Sequence, residues 1–360
     1  MFTANFKGPR HMWFLAFTLF TVALLALPAA AQKVDVTNFT SDLPNVPTGS
    51  IQDPHLVNAW GLSIAPTGPW WVTDNGTGLS TLYNATGQIQ SLVVTIPTAS
   101  GTGTGTPTGT VYNASTSDFK VHLQPTPFLF CTEDGTVSGW YAGSQAYVAI
   151  NNNDGAVYKG MAIAQVSGVN YLYVANFHAG TVETYNGSFT AHSFGSNAFV
   201  DTSIPAGFAP FNIQNIGNGK LVVTYAKQDA EKHDDVPGAG NGYIDVYDTS
   251  GNLQLRMAHV VFNNSPWGIV VAPQSFQGFG GDLLIGNFGS GGITAYNLSN
   301  GNFIGNMLNA NDIPVQIDGL WALAFGNGDT GGPTNVLYFA SGPYGEAHGI
   351  FGKIVPHPGF

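Results

Sequence analysis

From about residue 33 onward, short apolar runs are punctuated by turn residues, and no stretch sustains an apolar period of 3.6 residues. The runs are rich in Val, Ile, Tyr and Phe and end at Gly, Asn or Pro, which predicts β-strands throughout. They also recur. Trp60-Gly61-Leu62-Ser63-Ile64-Ala65-Pro66 matches Trp267-Gly268-Ile269-Val270-Val271-Ala272-Pro273, and Trp321-Ala322-Leu323-Ala324-Phe325 keeps the same register. A second strand trails each one: Trp70 to Thr73, Leu283 to Gly286, and Val336 to Ala340. Weaker copies start near residues 109, 159 and 211, so successive units begin 49 to 56 residues apart. Six four-stranded units at that period predict an all-β, six-bladed β-propeller.

The last unit supplies three strands before the sequence ends. Val34 to Phe39 has strand composition and is expected to complete the sixth blade as its outermost strand, closing the ring. Gly101 to Thr106 reads as a loop between the first two blades. Propeller topology then sorts the loops, because the starts of inner strands and the turns after second strands share one face. That face gathers Asp74, Asn75, Glu133, Asp134, Asn176, His178, Asn287, Glu346 and His348, together with Asn58, Lys159, Asn212, Asn264 and Asp318.

Composition narrows the function. Hydrophobic residues make up 44 %, too many for a disordered chain. Ten Lys or Arg stand against 21 Asp or Glu, a formal net charge of −11, which argues against nucleic-acid binding and docking on anionic lipid. Two of those cations, Lys7 and Arg10, precede an uncharged run from Met12 to Leu27, then Pro28 and Ala29-Ala30-Ala31. Residues 1–31 therefore read as a secretory signal peptide, with a retained membrane anchor as the competing reading. The remainder, 32–360, is expected to be one propeller domain, secreted or periplasmic and without a membrane segment. Cys131 is the single cysteine, so no intrachain disulfide forms, and its strand context suits a small buried residue.

One loop stands apart. Lys227-Gln228-Asp229-Ala230-Glu231-Lys232-His233-Asp234-Asp235 holds six charged residues in nine positions. In one reading Asp229, Glu231, Asp234 and Asp235 bind a hard cation, Ca²⁺ or another divalent ion, with His233 and His178 nearby for proton transfer. In the other it is a solvated mixed-sign loop. His348 is the third histidine on this face. Trp60, Phe211, Trp267 and Trp321 recur at one blade position and read either as interblade packing or as a stacking ring for a sugar or flat ligand. No Gly-x-Ser-x-Gly elbow and no phosphate-cradling loop before a helix is present.

Several motifs resemble a family of uncharacterised secreted bacterial propellers, some with PEP-CTERM sorting tails. They are Leu56-Val57-Asn58-Ala59-Trp60-Gly61-Leu62, Trp71-Val72-Thr73-Asp74-Asn75-Gly76-Thr77-Gly78, Asn176-Phe177-His178-Ala179-Gly180-Thr181-Val182, and the charged loop itself. The resemblance implies a six-bladed fold and no established activity. Asp318-Gly319-Leu320 also resembles the Asp-Gly motif of NHL and gluconolactonase/regucalcin propellers, whose aspartate binds a central divalent cation. Asn264 would take the Asn ligand's place one blade earlier, and Asn58 stands where that family has a glutamate. The expectation is an exported module that binds a small molecule, a glycan or a protein. The alternative is a metal-dependent lactonase with Asn58, Asn264 and Asp318 converging on the channel.

Overall fold

The computed structural model describes residues 1–3, 33–47, 50–276 and 278–358. The leader expected over residues 1–31 lies, from residue 4 on, outside the described residues. Strands gather into six largely antiparallel sheets arranged as propeller blades, plus a two-stranded hairpin of Lys120–Val121 and Gln124–Pro125, and no helix is present among the described residues. Blade 1 runs Ala59–Ile64, Trp70–Asp74, Leu79–Tyr83 and Val94–Thr95 from the axis outward. Blade 2 uses Pro107–Tyr112, Phe128–Thr132, Thr136–Trp140 and Tyr147–Asn151. Blade 3 uses Tyr158–Val166, Val169–Asn176, Thr181–Asn186 and Ala191–His192. Blade 4 uses Phe208–Gly217, Lys220–Lys227, Gly242–Asp248 and Leu253–Arg256. Blade 5 uses Pro266–Val271, Leu283–Asn287, Gly292–Tyr296 and Phe303–Asn306. Each innermost strand packs against the next, and the sixth, Leu320–Phe325, returns to the first.

Blade 6 continues with Leu337–Ser341 and Ile350–Pro356, and its outermost long strand comes from the other end of the chain. Lys33–Ser41 pairs antiparallel with Ile350–Pro356, as the strand composition of Val34 to Phe39 predicts. Two short strands then extend this sheet: Ile51–Gln52 and Leu308–Asn309 both run parallel to it. Apolar residues fill the spaces between blades, where neighbouring sheets face each other. Cys131 sits inside one of these clusters, and burial pushes its thiol up to about 11.

Candidate functional site at the channel mouth

Near its start every innermost strand carries an irregularity in register. These fall between Ala59 and Leu62, Pro107 and Thr110, Tyr158 and Gly160, Pro210 and Asn212, Pro266 and Gly268, and Leu320 and Leu323. Such a bulge re-aims the side chains it contains. Three of the bulges hold tryptophans that meet one another: Trp60 and Trp321 at 4.0 Å between ring centroids, Trp267 and Trp321 at 5.9 Å. Phe211 joins at 5.9 Å and Phe288 stacks on Trp321 at 3.8 Å. The aromatics plug the channel. Trp60, Phe211, Trp267 and Trp321 are each no more than 4 % exposed, so they offer no free face to a ligand, and the stacking-ring reading is corrected to packing.

In blade 3 the same place is taken by Lys159. Its side chain is 2 % exposed, and its Nζ lies 5.0 Å from the centroid of Trp60. Burying an ammonium is costly unless it is paired. Lys159 is paired twice: with Glu133 Oε1 at 2.5 Å and with Asp234 Oδ1 at 3.3 Å. From there hydrogen bonds run around the rim. Asn75 donates to Glu133 Oε2 at 2.9 Å; Asn58 donates to Asn75 at 3.3 Å and to Glu346 Oε1 at 3.0 Å. Trp321 Nε1 donates to Asn58 Oδ1 at 3.1 Å, tying this ring to the aromatic plug. Blades 1, 2, 3, 4 and 6 thus contribute to one polar cluster.

The charged loop divides. Asp234 reaches Lys159 and also His233 Nδ1 at 2.9 Å. Glu133, His233 and Asp234 bring one ligand-type atom each within 4.8 Å of the others, which no other such trio does among the described residues. Asp229, by contrast, is used locally, accepting the His233 backbone N–H at 2.9 Å, and Glu231 is exposed. The loop is therefore not a cation cage of its own: two of its four acids face the mouth region, and Glu133 comes from another blade.

Electrostatics follow the geometry. Burial pushes Asp235 up to about 6, and its Oδ2 is buried without a partner. Burial also raises Glu346, with the Glu133 and Asp235 charges adding to the effect while the Asn58 hydrogen bond and Lys159 oppose it. Burial pushes Asp234 up too, but the Lys159 charge and the His233 hydrogen bond outweigh it and hold the carboxyl below its ordinary value. Four carboxyl groups thus share one ammonium. The backbone here is strained as well: Asn58 has φ 49°, Tyr344 φ 58° and Glu346 φ 69°, in the left-handed region that non-glycine residues rarely adopt.

The three residues of the lactonase resemblance have different hydrogen-bond partners. Asn58 belongs to the polar cluster. Asn264 Oδ1 instead accepts the Gly238 N–H at 2.6 Å. Asp318 is exposed, and its Oδ2 accepts the Tyr344 N–H at 2.8 Å. Asn264 Oδ1 and Asp318 Oδ2 each accept a backbone N–H from a different loop, which those turns need. The histidines separate too: His233 joins the mouth, the His178 side chain is exposed, and His348 pairs with Asp42 at 2.7 Å. Sequence reasoning put Glu133, Lys159 and Glu346 on the right face without singling them out. The signal was a lysine standing in register with Trp60, Trp267 and Trp321.

No family model matches the chain. Over 284 residues it is 30 % identical to uncharacterized protein R648 of Acanthamoeba polyphaga mimivirus, covering 76 % of this chain and 69 % of that protein. Among solved structures it is similar to the soluble aldose sugar dehydrogenase of Escherichia coli, with a TM-score of 0.56 at 12 % identity over 90 % of this chain and 100 % of that one. Virginiamycin B lyase from Staphylococcus aureus gives a TM-score of 0.50 at 12 % identity over 90 % and 99 %. At such identities these structures attest the propeller fold alone.

Proposed function

Since the chain belongs to one family with the mimivirus protein R648, whose name states no activity, we propose from its own geometry that it is a binding propeller whose channel mouth takes a positively charged ligand, in the first instance a divalent cation. The observation that carries this is the surplus of carboxyl groups: Glu133, Asp234, Asp235 and Glu346 are gathered near a single buried ammonium. The trio of Glu133, His233 and Asp234 would hold the ion. A mixed carboxylate and imidazole set suits Mn²⁺ or Zn²⁺ better than Ca²⁺, which takes oxygen ligands. Lys159 competes with the ion for the same oxygens. With Asn58, Asn264 and Asp318 engaged separately, a hydrolase of the lactonase type lacks its ligand set, and the binding reading is preferred.

Calorimetric titration of residues 32–360 with Mn²⁺, Zn²⁺ and Ca²⁺ tests the proposal. Binding is expected for Mn²⁺ or Zn²⁺, weakened at least tenfold in Asp234→Asn and strengthened in Lys159→Met, where the internal competitor is gone. Absence of both heat and a melting shift in the native chain and in Lys159→Met would overturn it. Turnover of lactones that is abolished by chelator would favour the hydrolase instead. We also retain the export reading of residues 1–31, which their charged start and apolar run support. A mature chain beginning at Gln32 is its check.

A further inference from the structure

Beside blade 6, lined in part by the Gly342–Gly349 loop that also carries Glu346, lies a second cleft of about 280 Å³. Its walls are Val36 of the closing strand, Leu43, Ile317 and Ile350, with Pro343 and Tyr344 from the loop. Val36 is 39 % exposed and Tyr344 64 %, so the apolar lining opens to solvent. Its polar lining residues are Asn38, Ser41, Gln316, Asp318 and His348, and the last two carry the distinctive chemistry. Asp318 is exposed and uses only Oδ2 within the protein, for the Tyr344 N–H. His348 commits Nδ1 to Asp42 Oδ2 at 2.7 Å, and Asp42 Oδ1 in turn accepts the Gly349 N–H at 3.0 Å. That holds the imidazole by Nδ1 and leaves Nε2 for a ligand, as an acceptor in the neutral ring. No lysine or arginine lines the cleft.

We propose that this cleft is a second binding site, for a small molecule with an apolar body and a protonated amine. The volume is near the lower end of ordinary ligand pockets, which begin at about 300 Å³. The apolar walls would cover the body. Asp318 Oδ1 would accept from the ammonium, and His348 Nε2 from a second donor such as a hydroxyl. An anion finds no lysine or arginine here and meets the Asp318 carboxylate, and a neutral alcohol gains nothing from Asp318 beyond one ordinary hydrogen bond.

The test uses n-hexylamine, n-hexanol and hexanoate as probes, each titrated calorimetrically into residues 32–360. Saturable binding is expected for hexylamine, weaker for hexanol and absent for hexanoate. Asp318→Asn keeps an acceptor for the Tyr344 N–H and should weaken hexylamine about tenfold, the scale of one charge-assisted hydrogen bond. Val36→Lys, at an exposed position, should abolish binding by placing a cation in the cleft. Asp234→Asn, at the channel mouth, should leave hexylamine binding unchanged, which separates this site from the cation site proposed above. The inference is overturned if hexylamine fails to saturate, if hexanoate binds equally well, or if Asp234→Asn rather than Asp318→Asn removes the binding.

Discussion

A buried charge reveals its partners through their ionisation, and Asp245 shows this away from the mouth. It lies on the third strand of blade 4, 2 % exposed, accepting from the Tyr247 hydroxyl at 3.2 Å. Burial, and then the charge of Asp201, push it up to about 7. Asp201 itself is held well below the ordinary range by its hydrogen bonds to Arg256, whose Nε and Nη2 reach its two oxygens at 2.5 and 2.9 Å. The two groups act on stability in opposite directions. The raised group, Asp245, contributes stability that is fully present below its unfolded value and lost as pH rises through about 7. The depressed group, Asp201, contributes stability that is present above its unfolded value and lost on acidification. Asp245→Asn is therefore expected to leave the melting temperature at pH 4 nearly unchanged and to stabilise the protein at pH 8. The gain is up to about 4 kcal/mol, from roughly three pH units at 1.36 kcal/mol each. Thermal melts of both chains across that range are the check.

At the scale of the strand, the bulge decides what the blade presents to the axis. Glycine follows the bulged residue in blades 1, 2, 3 and 5, where strands approach too closely for a side chain. A Cβ on Gly268 would lie 2.7 Å from the Trp321 carbonyl oxygen, and one on Gly61 2.6 Å from that of Thr108. Gly268→Ala is expected to cost about 1–3 kcal/mol through overpacking. Gly305→Ala, on the outer strand of blade 5 with open space around it, should be nearly neutral. Chemical denaturation of the two variants measures the difference. The strands and their repeat were legible because runs of β-branched and aromatic residues, and the turn residues between them, are local signals. The bulges were not, since they appear only when two strands are paired.

For the whole molecule, closure is the central fact. Lys33–Ser41 joins the last blade, so the first described strand and the last hold each other in place. Val34, 1 % exposed, enters the apolar cluster that includes Ile354, Leu337 and Met307. Val34→Asp is expected to destabilise the protein by several kcal/mol, since it buries an unpaired charge and removes an apolar contact. A shift of the denaturation midpoint with unchanged slope would show that the ring still unfolds as one unit.

The strand-like runs, the fifty-residue period and the strand-like segment near the amino terminus determined the architecture and the face on which polar residues collect. Local residue chemistry suffices for that, because each blade repeats the same solution. Only the folded ring decided which of those residues meet. It drew Glu133 and Glu346 toward Asn58 and Lys159, kept Asn264 and Asp318 for holding loops, and turned His348 toward Asp42. Those outcomes depend on which backbone donors each turn leaves open and on how a bulge aims a side chain across the axis. Neither is encoded in any one stretch of chain.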